Sequence, residues 1–130
     1  MVADVSVLIR TLNEAEWIGR VLDAVIGQTV PAEVLVLDSG SNDGTLDAVG
    51  ARPAVRLLTI APGEFSYGRA LNRGFAEASG SLLVALSGHA LPVDDAWLDR
   101  LLAPFADPAV AAVYGRHIPH AGLDPLRRRE

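Results

Sequence analysis

The chain has 130 residues, of which half are hydrophobic, 16 are acidic, 11 are basic and none is cysteine. This length accommodates one folded domain, and the hydrophobic content excludes a disordered chain. The formal charge of −5 disfavours nucleic-acid binding, and the lack of cysteine excludes disulfides and fits the cytoplasm. The apolar runs are too short to cross a bilayer, so we expect no transmembrane segment.

Apolar periodicity alternates between strand and helix patterns along the first half of the chain. Asp4–Thr11 is a nearly continuous β-branched run, which is typical of a strand buried on both faces. Glu14–Gln28 has apolar residues at helical spacing, and Asn13 is its predicted N-cap. A second buried strand is predicted at Ala32–Asp38, and after a polar loop Asp43 is predicted to cap a short helix.

The second half of the chain continues this alternation. The predicted elements are a strand at Val55–Ile60, a helix at Tyr67–Ser79, a strand at Ser81–Ser87, a helix at Asp94–Ala106 and a fifth strand at Ala109–Tyr114. Gly80 is expected to end the third helix as a C′ glycine. Helical crossovers force parallel pairing with helices on both faces, so the predicted fold class is α/β with one open, mostly parallel sheet.

Polar residues gather where three of the predicted strands end. The first strand ends in Arg10–Asn13, the second in Asp38–Gly44 and the fourth in Ser87–His89. Because parallel strands share one carboxyl edge, we expect these groups around a single crevice. Capping and turn formation explain any one of these residues alone, whereas the three groups together indicate a ligand site.

Several common ligand-binding and catalytic motifs are missing. No G-x-G-x-x-G follows the first strand, and the absence of lysine excludes the phosphate-binding G-x-x-x-x-G-K-[ST] loop. There is also no G-x-S-x-G nucleophile elbow. Dinucleotide-dependent dehydrogenases, P-loop enzymes and serine hydrolases are therefore disfavoured.

Five segments together resemble family 2 inverting glycosyltransferases of the GT-A fold, and most of all the rhamnosyltransferase-like bacterial members. These segments are Val5–Asn13, Gln28-Thr29, Val34–Thr45, Phe65–Asn72 and Leu86–Trp97. The resemblance implies a role in cell-envelope polysaccharide synthesis and a truncated GT-A fold. Residues 1–115 would be its nucleotide-sugar-binding half, and residues 116–130 a tail or the start of an acceptor-side segment.

The resemblance also implies roles for individual residues. The base and ribose of the nucleotide-sugar donor would lie against Thr11, Asn13, Asp38, Ser39 and Asp43. Arg69 and Asn72 would face the diphosphate or the sugar, and the planar fork of an arginine suits phosphate. Many relatives have a second Asp where this chain has Ser39, which weakens or replaces a contact to the base.

Ser87-Gly88-His89 occupies the place of the family's Asp-x-Asp. The last carboxylate of that motif holds a divalent cation, Mn²⁺ or Mg²⁺, on the donor diphosphate. His89 is the candidate metal ligand, but imidazole suits softer ions than Mg²⁺. The favoured alternative is a histidine that orders its loop or hydrogen-bonds the diphosphate, with Ser87 beside it in the donor site.

Sugar transfer with inversion also requires a general base to deprotonate the acceptor, and the sequence has no recognisable candidate. Beyond Tyr114 the acidic residues are Asp124 and Glu130. One alternative is therefore a nucleotide-binding module or fragment without turnover, and another is an α/β interaction module without a ligand. The expected partners are the donor, an unidentified acceptor, and either a second copy or a missing C-terminal half. A peripheral membrane location is compatible with the full-length protein.

Overall fold

Four parallel strands form the sheet of the computed structural model, which describes residues 4–119. They are β1 (Val5–Thr11), β2 (Glu33–Asp38), β3 (Val55–Thr59) and β4 (Leu82–Ser87), in the spatial order β3-β2-β1-β4. Thr11 is in register with Asp38 on β2, and Arg10 with Ser87 on β4. The chain builds β1, β2 and β3 outward in one direction and then returns to the other side of β1. The direction of chain growth therefore reverses between β1 and β4, which is the switch point of the sheet. In α/β folds of this kind, ligands bind at the carboxyl ends of the strands on either side of the switch point.

Helices cover both faces of the sheet. They are α1 (Ile18–Ile26), α2 (Thr45–Gly50), α3 (Tyr67–Glu77) and α4 (Trp97–Leu102), with 3-10 turns at Pro62–Glu64 and Ala103–Ala106. Right-handed crossovers in opposite directions place α3 on the face opposite α1 and α2. Within residues 4–119, no helix is both long and apolar enough to span a bilayer. The predicted α/β class with a parallel sheet is confirmed.

Alternate residues of the central strand enter two separate cores. Val7 and Ile9 pack with the buried side chains of α1, α2 and α4, whereas Leu8 packs with Leu35, Leu37 and Ala70. All three side chains of β1 are fully buried, as the continuous apolar run predicts. The helix α3 approaches β1 closely at Gly74, where an added Cβ would lie 2.2 Å from Cδ2 of Leu8.

The predicted fifth strand is wrong. Residues 110–119 have no strand or helix assignment, and Tyr114 is almost fully exposed. A short apolar run becomes a strand only when a neighbouring strand pairs with it, and this run instead lies beside α4. Val113 and Tyr114 line a groove there with Trp97 and Leu101.

The predicted role of Gly80 is also wrong. The helix α3 ends at Glu77, and its C-cap residue Ala78 has extended backbone angles. Gly80 instead lies against β1, where its N–H donates to Oγ of Ser6 at 2.9 Å. An added Cβ would come within 2.6 Å of the Ser6 nitrogen. Glycine is therefore required at this position by the approach of two backbone segments.

Candidate functional site

The loops that follow β1 and β4 converge at the switch point of the sheet. The Gly88 N–H donates to the carbonyl of Arg10 at 2.9 Å, which continues the pairing of the two strands by one residue. A Cβ on Gly88 would lie 3.0 Å from Oγ1 of Thr11, so a larger residue would crowd the end of β1. Thr11 is 5% exposed, and its hydroxyl has no hydrogen-bond partner. A buried hydroxyl without a partner is uncommon in folded proteins and points to a hydrogen bond that the chain itself does not supply.

Asp38 organises the loop after β2. Its side chain is 2% exposed, and Oδ2 accepts hydrogen bonds from the N–H groups of Gly40 and Ser41, each at 2.9 Å. Oδ1 accepts the Ser41 hydroxyl. Gly40 has a φ of +114°, which favours glycine, so the loop can turn back over the carboxylate. Asp38 therefore shapes this loop with both of its oxygens, a function that the sequence did not reveal.

Asn13 is not the N-cap of α1, which begins five residues later at Ile18. Its φ is +51°, a left-handed conformation that Asn adopts more readily than most residues. Its side-chain oxygen accepts from the Asn42 N–H at 2.8 Å, and its own N–H donates to Oγ of Ser41 at 2.8 Å. Asn13 thus joins the loop after β1 to the loop after β2.

Asp43 bridges the same two loops. Oδ1 accepts from the Thr45 N–H at 3.0 Å in the first turn of α2, and Oδ2 accepts from the Ala15 N–H at 3.1 Å. The contact with the start of α2 agrees with the predicted capping role, although Gly44 occupies the N-cap position itself. The hydroxyl of Thr45, followed by the backbone N–H groups, holds the pKa of Asp43 below its ordinary value. Its carboxylate is therefore ionised at neutral pH.

Ser39 is buried beside the end of β1, and its N–H donates to the carbonyl of Thr11 at 3.2 Å. Arg69 lies in the first turn of α3, close to the carboxyl edge, where Oγ of Ser66 accepts its backbone N–H at 3.1 Å. Asn72 is exposed on the same helix, about 8 Å further along its axis than the first residue, Tyr67. The structure brings Thr11 and Ser39 together, whereas Asn72 lies apart from them along α3.

His89 contacts a residue that sequence reasoning missed. Its Nδ1 lies 2.9 Å from Oε1 of Glu14 and 3.1 Å from Oγ of Ser87. Glu14 follows Asn13 in the polar segment after β1, but the helical pattern assigned it to α1. The pairing of β1 with β4 places Glu14 beside His89, which is 75 positions away in the sequence. These three side chains connect the loops on either side of the switch point.

This cluster is a poor fit for a divalent cation. It has one carboxylate, one imidazole and one hydroxyl, and Nδ1 of His89 faces the carboxylate. In the part of the chain that the structure describes, no group of three or more His, Cys, Asp or Glu residues could hold a metal. Glu14 engages Nδ1 of His89, so a cation here would gain at most the other ring nitrogen and few oxygen ligands, whereas Mg²⁺ and Mn²⁺ prefer several oxygen ligands.

The fold and this edge define a three-layer α/β domain whose polar loops lie together at the carboxyl edge of the sheet. The chain belongs to the family described as Glycosyl transferase family 2, which it matches over residues 6–130. Its parallel sheet has the GT-A architecture of the solved structures to which it is similar.

Two curated relatives illustrate the similarity. The O-antigen chain rhamnosyltransferase RfbN of Salmonella typhimurium is 31% identical over 124 residues, which cover 94% of this chain and 40% of the relative. Glycosyltransferase AglE of Haloferax volcanii is 37% identical over 118 residues, which cover 85% of this chain and 38% of the relative. The resemblance to rhamnosyltransferase-like members is confirmed. The chain spans 40% or less of the length of both relatives.

Two solved structures share the fold. One is mannosyltransferase PcManGT from Pyrobaculum calidifontis, solved in complex with GDP-Man and Mn²⁺, with a TM-score of 0.72 and 32% sequence identity. The match covers 85% of this chain and 34% of the mannosyltransferase chain. Glucosyl-3-phosphoglycerate synthase from Mycobacterium tuberculosis, in complex with Mn²⁺, UDP and glucosyl-3-phosphoglycerate, has a TM-score of 0.67 and 26% identity. That match covers 81% of this chain and 40% of the solved one.

Proposed function

We propose that this chain is the donor-binding part of a glycosyltransferase that transfers a sugar from a nucleotide-sugar to an acceptor hydroxyl with inversion. The observation that carries this proposal is the convergence of Thr11, the Asp38 loop and Ser87–His89 at the switch point of the sheet. The similarity to a mannosyltransferase solved with GDP-Man supports a nucleotide-sugar as the ligand.

In this proposal the base and ribose lie over the carboxyl ends of β1 and β2. The pocket is formed by Thr11, Asn13, Asp38, Ser39 and Asp43. The unpartnered hydroxyl of Thr11 is the strongest point of contact, because a ligand atom would satisfy a buried polar group. Asp38 contributes chiefly by shaping its loop, since both oxygens already accept hydrogen bonds within the chain.

The diphosphate would lie toward β4 and the beginning of α3. Arg69 is suited to meet it with a bidentate contact, and Asn72 would face the sugar side. His89, held by Glu14, would donate a hydrogen bond to the departing diphosphate and offset its developing charge. The alternative is that His89 is a ligand of Mn²⁺. Two similar solved structures contain that ion, which supports this alternative.

The acceptor side is a separate part of the proposal. In this proposal residues 1–115 are the donor-binding half, and residues 116–130 are a tail or the start of an acceptor-side segment. Asp124 and Glu130, the acidic residues beyond Tyr114, lie outside the described residues. No carboxylate in positions 4–119 has an arrangement that identifies it as the general base, so the proposal assigns none within them. The groove of Trp97 and Tyr114 is a candidate surface for a C-terminal half or for a second copy. We propose a cytoplasmic location, which is compatible with peripheral membrane association of a full-length protein.

The proposal is tested by calorimetric and thermal-shift titration of the chain with UDP, GDP and dTDP, each with Mn²⁺ and with EDTA. At least one nucleotide should raise the Tm by mass action, and Asp38→Ala should abolish the shift. Asp99→Ala, an exposed acidic position on α4, is the matched control. If no nucleotide binds, the result would favour the hypothesis that the chain is an interaction module without a ligand. Sugar transfer or donor hydrolysis by the chain alone would exclude the non-catalytic module.

A further inference from the structure

Arg10 is a cation at the switch point without an anion. Three other arginines form ion pairs with carboxylates, namely Arg52 with Asp23, Arg56 with Glu77 and Arg100 with Asp94. Arg10 forms no ion pair or hydrogen bond through its guanidinium with any residue from 4 to 119, and its Nε is buried without a partner. A half-buried cation in this state is costly unless a ligand supplies the counter-charge.

Arg10 lies at the carboxyl end of β1, next to the proposed donor site. It lies one residue before the end of β1, in register with Ser87 of β4, and its carbonyl accepts the Gly88 N–H. Strand alternation places its side chain on the α3 face, opposite that of Thr11. Thr11 and Arg10 therefore flank the same strand end, the first beneath α1 and the second beneath α3.

The ring of Tyr67 lies against the Arg10 guanidinium. Its Cζ lies 4.7 Å from the centroid of the Tyr67 ring, at the first position of α3. The Tyr67 ring in turn packs edge-on against Phe65, with centroids 5.4 Å apart. A guanidinium that stacks on a ring keeps its N–H donors in the plane of the fork, where they are free for a bidentate acceptor. Tyr67 itself is 69% exposed, so this face of the crevice is open.

We infer that Arg10 binds a phosphate group of the donor diphosphate and that Tyr67 is the positioning residue that orients it. This inference rests on the proposed function, because it names the part of the nucleotide-sugar that this side chain recognises. Within the described residues Arg10 lies on β1 in register with Ser87 of β4 and has no carboxylate partner. Arg69 follows Tyr67 by two positions in the first turn of α3 and projects from a different side of the helix, so its proposed contact with the diphosphate is separate from that of Arg10.

The experiment measures Kd by calorimetry for Arg10→Gln, Arg10→Lys and Tyr67→Leu. The ligands are UDP, GDP and dTDP, the matching nucleosides, and inorganic pyrophosphate. Arg10→Gln should weaken diphosphate binding about 10- to 100-fold, as expected when a charged hydrogen bond is lost, with little change for the nucleoside. Arg10→Lys should restore part of the affinity, because it keeps the charge without the fork. Arg73→Gln, which removes an exposed arginine of α3, is the matched control and should bind as the parent does.

Tyr67→Leu keeps the test decisive if Arg10→Gln fails to fold, because its side chain is largely exposed. It should weaken diphosphate binding about 2- to 5-fold and leave nucleoside binding unchanged, a pattern that a general structural defect would not produce. Raising the salt concentration should reduce the difference between the parent and Arg10→Gln.

The outcomes separate the two proposals. If the parent binds a nucleoside diphosphate and Arg10→Gln binds it equally well, the inference about Arg10 is overturned and the proposed function stands. If the parent binds pyrophosphate through Arg10 but no nucleotide, the anion site stands and the proposed function fails. If the parent binds neither, both are overturned.

Discussion

Nδ1 of His89 lies 2.9 Å from Oε1 of Glu14, and this contact joins the loop after β4 to the loop after β1. The pair closes one side of the crevice with an imidazole and a carboxylate that neutralise each other when the imidazole is protonated. Because Nδ1 of His89 is bonded to Glu14, this nitrogen is not available to a bound ligand. The resemblance puts an aspartate of the family's Asp-x-Asp motif at the position of His89, so the same place would carry a different charge.

This difference predicts a change in metal dependence. In the parent chain, the nucleotide-induced rise in Tm should be similar with Mn²⁺ and with EDTA. In His89→Asp, a hard oxygen ligand replaces the imidazole, and Mn²⁺ should tighten nucleotide binding about 10-fold, or about 1.4 kcal/mol. The measurement is calorimetric titration of each variant in the two buffers. His117→Asp makes the same change at an exposed histidine and is the control. A parent that binds nucleotide only with Mn²⁺ would contradict the prediction.

Thr11→Val should separate ligand binding from stability. The Thr11 hydroxyl is buried without a partner, so its removal costs the folded protein no hydrogen bond and should leave the unliganded Tm unchanged or slightly higher. Binding of the nucleotide should weaken by about 0.5–1.5 kcal/mol if the hydroxyl contacts the ligand. The two quantities come from thermal unfolding with and without ligand. Thr59→Val, at the exposed end of β3, is the matched substitution. Equal nucleotide binding by Thr11→Val would remove this residue from the pocket.

The strands could be predicted from the sequence because burial on both faces imposes a continuous apolar run. The predicted ends of β1 and β2 agree with the structure, and the last residue of each, Thr11 and Asp38, begins a polar loop. The order of the strands then places these loops on one edge. The candidate site was therefore accessible from pattern and topology alone.

What could not be predicted depends on contacts between distant segments. Gly80 has the sequence context of a helix C-terminus, but its conformation is determined by Ser6, 74 positions away. Asparagine is common at helix N-caps, yet the hydrogen-bond partners of Asn13 are Ser41 and Asn42 in another loop. Local capping rules contain no information about such neighbours. The Glu14–His89 contact was missed for the same reason.

Glu33 connects three hydroxyl or amide donors at the amino end of the sheet, and it makes stability depend on pH. Its carboxylate accepts the hydroxyl of Ser6 and both the N–H and hydroxyl of Ser79. The Ser79 N–H, opposed by desolvation and helped by the two hydroxyls, lowers the pKa of Glu33 below its ordinary value of 4.5. The stabilisation is thus fully present above that value and is lost as pH falls through the lowered pKa of the folded state.

Glu33→Gln should accordingly reduce the free energy of unfolding at neutral pH by about 1–3 kcal/mol, because the charged acceptor is removed. The difference from the parent should shrink as the pH is lowered below 4.5. Urea denaturation between pH 3 and pH 7 measures both effects, over a range of about 4 units around the ordinary pKa of a glutamate. Glu64→Gln, an exposed position on the 3-10 turn, should have no comparable effect. A difference that stays constant with pH would show that the charge of Glu33 is irrelevant.

The contact between α3 and β1 can be tested with two glycines of the same helix. At Gly74 an added methyl group would lie 2.2 Å from Cδ2 and 2.5 Å from Cδ1 of Leu8, whereas at Gly68 it would meet nothing within 4 Å. Gly74→Ala should destabilise the fold by about 1–3 kcal/mol through overpacking of a fully buried leucine.

Gly68→Ala should instead stabilise the protein by up to about 1 kcal/mol, because alanine has the higher helix propensity and open space receives the methyl group. Urea denaturation of both variants gives the two changes in the free energy of unfolding, and opposite signs are expected. Since Leu8 lies two residues before Arg10 on the same face of β1, Gly74→Ala should also weaken nucleotide binding if α3 is displaced. Equal stability of the two variants would mean that α3 can move away from β1 without cost, which the close packing of Leu8 against α3 argues against.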